Sequence, residues 1–498
     1  MSPILLLCII LAYFAILLWV AFKTGKNSDN DSFFIGNRKS NWMLVAFGMI
    51  GTSLSGVTFV SVPGAVGKDN FAYMQITLGY LIGYIIIAYV LLPLYYRLKL
   101  TSIYGYLQQR MGQLSYKSGA WIFIVSRLVG ATARLYLVVN ILQITILQSL
   151  GVPFYVTTII LLIMIILYTY EGGVKTIVWT DTLQTTCMLL GLVICTFYML
   201  NHMDLSVGDS LAAMSEKGYT KIFETDYNSA GFFVKQILAG AFITITMTGI
   251  DQEMMQKSLS VTSLKDSQKN MVTLGFIMLG VIGLFLYMGG LLYLYGISEG
   301  GQFVDVITNG TPTKEFILDG KNVFGDKIFP EVALNHMPGF ISIIFVIALI
   351  SALFPSADGA MTALTSSLCI DIFGLKDKKW DDKKKEKFRK NVHLIVALSF
   401  LIMVVIFKLI DDNSMIGLIL KLAGFTYGPL LGLFAFGIFT KHKVKDELVP
   451  YICIAAPIIS YFIDKYQANL FGEFKIGLEL LIINGLITFI GLWFIRKK

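Results

Sequence analysis

The 498 residues are 56% hydrophobic and only 14% charged, where a soluble globular domain carries about 25% charged residues, so a soluble multidomain architecture is excluded. The net charge of +8 is parcelled out between apolar runs rather than gathered into a basic face, which excludes nucleic acid as a partner.

Apolar runs long enough to cross a bilayer recur along the whole chain. The expected fold class is an all-α membrane protein, a single polytopic domain over residues 1–498. About thirteen spans are predicted, at 3–22, 42–62, 74–94, 119–148, 154–170, 180–200, 232–254, 271–296, 338–372, 391–410, 415–438, 448–464 and 477–495. The first has no basic residue before it and Lys23 and Lys26 after it. A cleavable signal peptide has the opposite flanks, so this run reads as a retained helix with its N-terminus outside. Segments then expected inside hold 27 Lys or Arg, and those outside hold 8. Basic loops stay cytoplasmic, so the N-terminus is expected outside and the C-terminus inside. The richest cluster, Lys376 to Lys390, reads either as a lipid contact or as a solvated loop that fixes topology. The outer loop at about 297–337 is a possible lid.

The second span contains Gly51, Gly56, Pro63 and Gly64 together with the hydroxyls of Thr52, Ser53, Ser55, Thr58 and Ser61. Gly and Pro interrupt the helical ladder, hydroxyls re-satisfy the freed groups, and unwound carbonyls can hold a hard cation. Tight packing of small residues is the other reading. In the fourth span Arg127 and Arg134 stand seven residues apart on one helical face. Buried guanidinium groups need partners: either an anionic solute, gripped bidentately, or Asp181, Asp251 or Asp358. Asp181 opens the sixth span, as a helix cap or as part of a cation or proton relay. Asp251 and Gln252 end the seventh span as gating residues or as a C-terminal cap. In the ninth span Asp358, Thr362 and Thr365 share a face, and Pro355 precedes Ser356. A carboxylate inside a span is a functional candidate by default.

The five cysteines lie scattered in apolar runs, which argues against disulfides and zinc. There is no phosphate-binding GxxxxGKS loop and no nucleophile–base constellation, so neither ATP drive, enzymatic activity nor a cofactor is expected.

Six stretches, TSLSGVTFVSVPG (52–64), RLKLTSIYGYLQQRM (97–111), YEGGVKTIVWTDTLQ (170–184), DQEMMQK (251–257), PSADGAMTALTSSLCIDIF (355–373) and YGPLLGLF (427–434), occur in the order in which the chain resembles the sodium:solute symporter family. The resemblance implies a LeuT-like fold of two inverted five-helix repeats, at about 42–200 and 232–438, with an extra first helix at 3–22 and trailing helices at about 448–495. It implies Na+ as the coupling ion, held by the carbonyls of Gly51, Leu54 and Ala352 and the hydroxyl of Ser356, with Pro355 standing where many members have a second serine. A second sodium site in some members uses an aspartate matching Asp181 and serines matching Asp358 and Gly359. The solute positions it implies are Ser53, Ser55, Gly56, Thr58, Tyr73 and Thr77, with Gln75 adjacent. In sialic acid transporters a carboxylate-binding arginine aligns without gaps at Gly130, one turn from Arg127 and from Arg134.

The expected activity is inward, sodium-coupled transport of a small organic solute (a sugar, sialic acid, amino acid or carboxylate) by alternating access. A proton-coupled carrier titrating Asp181 or Asp358 is the alternative, followed by a sensor that binds solute without accumulating it. The expected setting is a bacterial-type inner membrane, with membrane lipid as the surrounding partner and the monomer as the working unit.

Overall fold

The computed structural model describes residues 3–25, 33–34, 40–170, 173–308, 311–410 and 415–497. Of the basic residues expected inside, Lys26, Arg38, Lys39 and Lys498 lie outside these.

The principal helices are α1 (Pro3–Gly25), α2 (Trp42–Ser53), α3 (Gly56–Asp69), α4 (Tyr73–Ile86), α5 (Gln113–Leu142), α6 (Phe154–Thr169), α7 (Gly173–His202), α8 (Phe233–Thr244), α9 (Gln252–Leu259), α10 (Leu264–Ser298), α11 (Gly339–Ser367), α12 (Asp382–Ile410), α13 (Met415–Thr426), α14 (Gly428–Phe439), α15 (Val449–Lys465) and α16 (Leu480–Phe494). Among the described residues eight helices are long and apolar enough to cross a membrane, or up to eleven if each bent pair is one span. The shorter apolar helices α6 and α16 fall at the expected spans 154–170 and 477–495.

Three spans are broken. The chain bends by 59° between α2 and α3, by 65° between the α8 segment and α9, and by 48° between α13 and α14. Each break has a local cause. Leu54 (ψ 82°) and Ser55 (ψ 171°) leave the helical region between Gly51 and Gly56. Asp251 is extended and caps α9, accepting from the amides of Glu253 at 2.9 Å and Met254 at 3.3 Å. At the third break Pro429 has no amide to offer the Phe425 carbonyl. The Asn484 amide group of α16 supplies that bond at 2.8 Å and another to Gly424 at 3.0 Å.

Hydropathy marks the spans at 232–254 and 415–438 without locating a break in either, and the structure supplies both. Hydropathy averages over a window, and a one-residue departure supported by side-chain caps does not lower it. Asp251 is correspondingly an N-cap of the second half-helix and not a C-terminal cap. The reverse holds at Pro355, which α11 carries without a break. Asp181 also moves relative to expectation, because α7 begins at Gly173. The residue sits about two turns inside the helix, so the capping role is withdrawn.

Small residues bring α4 and α8 into backbone contact. A Cβ at Gly240 would land on the Ile76 carbonyl oxygen, and one at Gly79 on that of Ile237. Such close approach is how helices gain packing where lipid offers no hydrophobic drive. Gly240→Val is expected to force these helices apart and cost at least about 2 kcal/mol, read as a lower unfolding midpoint in detergent. An unchanged midpoint would refute the contact.

The loop expected outside, at about 297–337, is folded over its described residues. Strands β1 (Gln302–Thr308), β2 (Thr311–Leu318) and β3 (Lys321–Asn322) form an antiparallel sheet in that order. Phe303 and Phe316 of the sheet pack on Tyr293 of α10, whose Oη donates to the Gly64 carbonyl of α3 at 2.6 Å, and the turn after the sheet abuts α3, so that a side chain at Gly64 would collide with the Gly325 carbonyl.

A candidate solute cavity above a buried ion-pair network

The α2–α3 break forms one wall of a cavity of about 100 Å³, with Ser53, Leu54, Ser55 and Thr58 on it. Tyr73, Tyr80 and Tyr84 of α4 stand on another side, Thr244, Met247 and Thr248 on a third, and Ile419 of α13 closes it. Arg127 and Arg134 of α5 both reach the wall.

The two arginines differ in their partners. Arg127 is buried and ion-paired, with a guanidinium nitrogen on Glu253 and another 3.7 Å from Asp251 Oδ2. Arg134 makes no ion pair and no hydrogen bond among the described residues. Of the two readings of these arginines, the internal ion pair describes Arg127, and Arg134 presents an unengaged guanidinium to the cavity.

Beside the cavity lies a network of buried charges. Tyr427, at the α13–α14 break, donates to Asp251 Oδ2 at 2.8 Å, joining two breaks directly. The Lys257 ammonium of α9 lies 2.8 Å from Asp181 Oδ2, 2.7 Å from Thr52 Oγ1 and 3.9 Å from Glu253 Oε1. Thr52 also donates to Asp181 Oδ2 at 3.2 Å, which ties in the α2–α3 break. Asp358 of α11 accepts from Tyr168 Oη at 2.7 Å. Burying these charges is tolerable because each is paired or hydrogen-bonded.

The remaining predicted residues separate cleanly. Gly51 and Gly56 lie where α11 packs on the break. A Cβ at Gly51 would be 3.5 Å from Pro355 Cγ, and one at Gly56 would be 3.7 Å from Leu353 Cα. Ser356 Oγ is buried there, donating to the Leu353 carbonyl at 2.9 Å, one residue beyond Ala352. Tyr73 lines the cavity with its hydroxyl 3.1 Å from that of Tyr80. Gln75 does not line it. Its side chain donates to Ala72 and Gly231 carbonyls at 3.1 and 3.3 Å and accepts from the Glu224 amide at 3.2 Å, pinning the Glu224–Gly231 segment. Thr77 bonds back to the Tyr73 carbonyl at 3.1 Å, off the cavity wall. Gln252 bridges to the Thr101 carbonyl and the Ile103 amide, both at 3.0 Å, and so anchors the break to a neighbouring loop.

A family model described as "Sodium:solute symporter family" matches residues 33–446. The chain belongs to the sodium:solute symporter family. It is 22% identical over 483 residues to the sodium/sialic acid symporter SiaT of Proteus mirabilis (strain HI4320), covering 95% of this chain and 92% of that one. It is 24% identical over 430 residues to the human sodium/iodide cotransporter, covering 85% and 63% respectively. The solved outward-open, substrate-bound structure of a Na+-coupled sialic acid symporter superposes with a TM-score of 0.81 at 19% identity, over 99% of this chain and 98% of the other. The fold is therefore the expected LeuT-like transporter fold.

Within this family frame sequence reading misplaced two basic residues, Lys257 and Arg389. Lys257, counted by hydropathy as a cytoplasmic basic residue, is 1% exposed and lies among carboxylates. Arg389 was counted likewise and is buried, its guanidinium 4.1 Å from the Phe33 ring centre. The one signal for Lys257 was its i, i+4 spacing from Glu253, which also fits an exposed helix. Tyr168 and Tyr427 carried no signal, since their partners are 190 and 176 residues away.

Proposed function

We propose that this symporter imports a small carboxylate-bearing organic solute with sodium, and that Arg134 receives the solute's anionic group. The observation that carries this reading is the unengaged Arg134 guanidinium in a cavity that also presents Ser53, Ser55, Thr58 and Tyr73. A planar guanidinium suits a carboxylate bidentately, and the hydroxyls suit the polar remainder of a solute. Sialic acid and iodide, the solutes named for two relatives, are both anions in neutral water.

For the ion, the proposed ligands are the carbonyls of Gly51, Leu54 and Ala352 with the Ser356 hydroxyl. The α2–α3 break and its packing against Leu353 and Pro355 support this assignment, because a hard cation takes oxygen ligands and unwound backbone supplies them. Two inverted repeats rock about this site. The network of Arg127, Asp251, Glu253, Lys257 and Tyr427 closes the inner side, with the N-terminus outside and the C-terminus in the cytoplasm of a bacterial-type cell. The basic-residue excess supports this orientation even without Lys257 and Arg389. One protomer in lipid suffices, and no enzymatic step or cofactor takes part. Sodium entry supplies about 2.3 kcal/mol per charge per 100 mV to accumulate the solute.

A thermal-shift screen of the purified chain tests this, with carboxylates and neutral sugars in NaCl against KCl. The expected result is stabilisation by a carboxylate in sodium only. Equal stabilisation in potassium would remove sodium coupling, and a response confined to neutral sugars would remove the role of Arg134. Ser356→Ala is expected to raise the sodium concentration needed for that stabilisation by about tenfold, the loss of roughly 1.4 kcal/mol, with the fold retained. Unchanged sodium dependence would take Ser356 out of the site.

A further inference from the structure

We propose that Lys257 is a tethered cation: its ammonium fills a cation place built around Asp181, and this carrier consequently binds one sodium ion where an unfilled place would admit a second. The inference rests on the sodium-coupled reading and adds its stoichiometry.

The place has the make-up of a monovalent-cation site. Among the described residues the polar partners of the Lys257 ammonium are all oxygens: Asp181 Oδ2 at 2.8 Å, Thr52 Oγ1 at 2.7 Å and Glu253 Oε1 at 3.9 Å. Asp181 Oδ1 is fully buried and has no hydrogen-bond partner among the described residues, so the carboxylate keeps unused capacity toward a cation. Space is reserved for the charged heads. A Cβ at Gly359 would strike Glu253 Oε1 and would stand 3.1 Å from Lys257 Nζ. The glycine thus leaves room for an ammonium and a carboxylate where any side chain would crowd them.

The pairing of Asp181 makes the same demand. Among the described residues its ion-pair partner is Lys257, while Arg127 serves Asp251 and Glu253. Take the ammonium away and Asp181 is an uncompensated charge inside the span, a state that a diffusible cation relieves. A lysine delivers that charge permanently, at the end of a stem anchored in α9. Its bonds to Thr52 of α2 and Asp181 of α7 also join three helices. A place filled in this way contributes to holding the inner side shut without consuming an ion from the gradient.

Equilibrium binding of radioactive sodium alone to the purified full chain tests the proposal, with the unfolding midpoint of each protein recorded in choline buffer. The wild type is expected to bind one sodium per chain, Lys257→Ala two, and Lys257→Ala/Asp181→Asn one. Two sodium ions on the wild type would overturn the proposal without any variant needing to fold. So would a folded Lys257→Ala that binds no more sodium than the wild type. A wild type that binds none, with Lys257→Ala binding one, would uphold the tethered cation and instead sink the sodium site at Ser356.

Discussion

Replacing Arg134 by glutamine is expected to weaken solute binding about a hundredfold while leaving sodium binding unchanged. The guanidinium is the cavity's unengaged positive charge, and losing one partner of a desolvated, hydrogen-bonded charge pair costs about 2–5 kcal/mol. A hundredfold lies within that range at 1.4 kcal/mol per factor of ten. Arg134→Lys is expected to fall between the two, because an ammonium keeps the charge and loses the planar fork. The fold should survive both changes, since Arg134 has no internal partner to abandon. Titration of the carboxylate identified by the screen, followed by thermal shift and by uptake into proteoliposomes, measures the effect. Unchanged affinity in Arg134→Gln would mean that the solute anion, if there is one, is held elsewhere.

Glu253→Gln is expected to be the most destabilising single change, at about 3–5 kcal/mol, because it breaks a buried charge network by removing one partner. Glu253 answers two cations, Arg127 directly and Lys257 at 3.9 Å. With the carboxylate gone, Arg127 retains, among the described residues, only Asp251 at 3.7 Å, and that oxygen already accepts from Tyr427. The same cost should not appear in Arg134→Gln, so the two arginine-linked substitutions separate a structural pair from a binding group. Unfolding midpoints in detergent provide the comparison. A Glu253→Gln protein as stable as the wild type would show that the network contributes little to the closed arrangement.

How far the site was legible follows from the kind of interaction each residue makes. The small and hydroxylated residues from Gly51 to Thr58 announced a break, because Gly and hydroxyls in an apolar run weaken and then repair the helical ladder locally. The breaks at Asp251 and Tyr427 were not announced. Their causes are a side-chain cap and a carbonyl satisfied by Asn484 from a helix about sixty residues away. The seven-residue spacing of Arg127 and Arg134 placed both on one face, which was correct, yet identical residue types on that face have opposite fates. Which arginine is engaged depends on where α9 delivers Glu253.

The sequence by itself determined that the chain lives in a membrane, roughly where its spans run, and which family its motifs resemble. These depend on composition and short-range spacing, which the solvent reads before the chain folds. Only the tertiary structure decided that Lys257 belongs to the interior with Asp181, that Gln75 and Thr77 support rather than line the cavity, and that Arg134 remains open to it. The placement of Lys257 turns on polar groups brought together across 76 to 205 residues of chain, and that of Gln75 on a carbonyl 156 residues away. In a low-dielectric interior a charge goes to its partner, and no local pattern records where that partner will be.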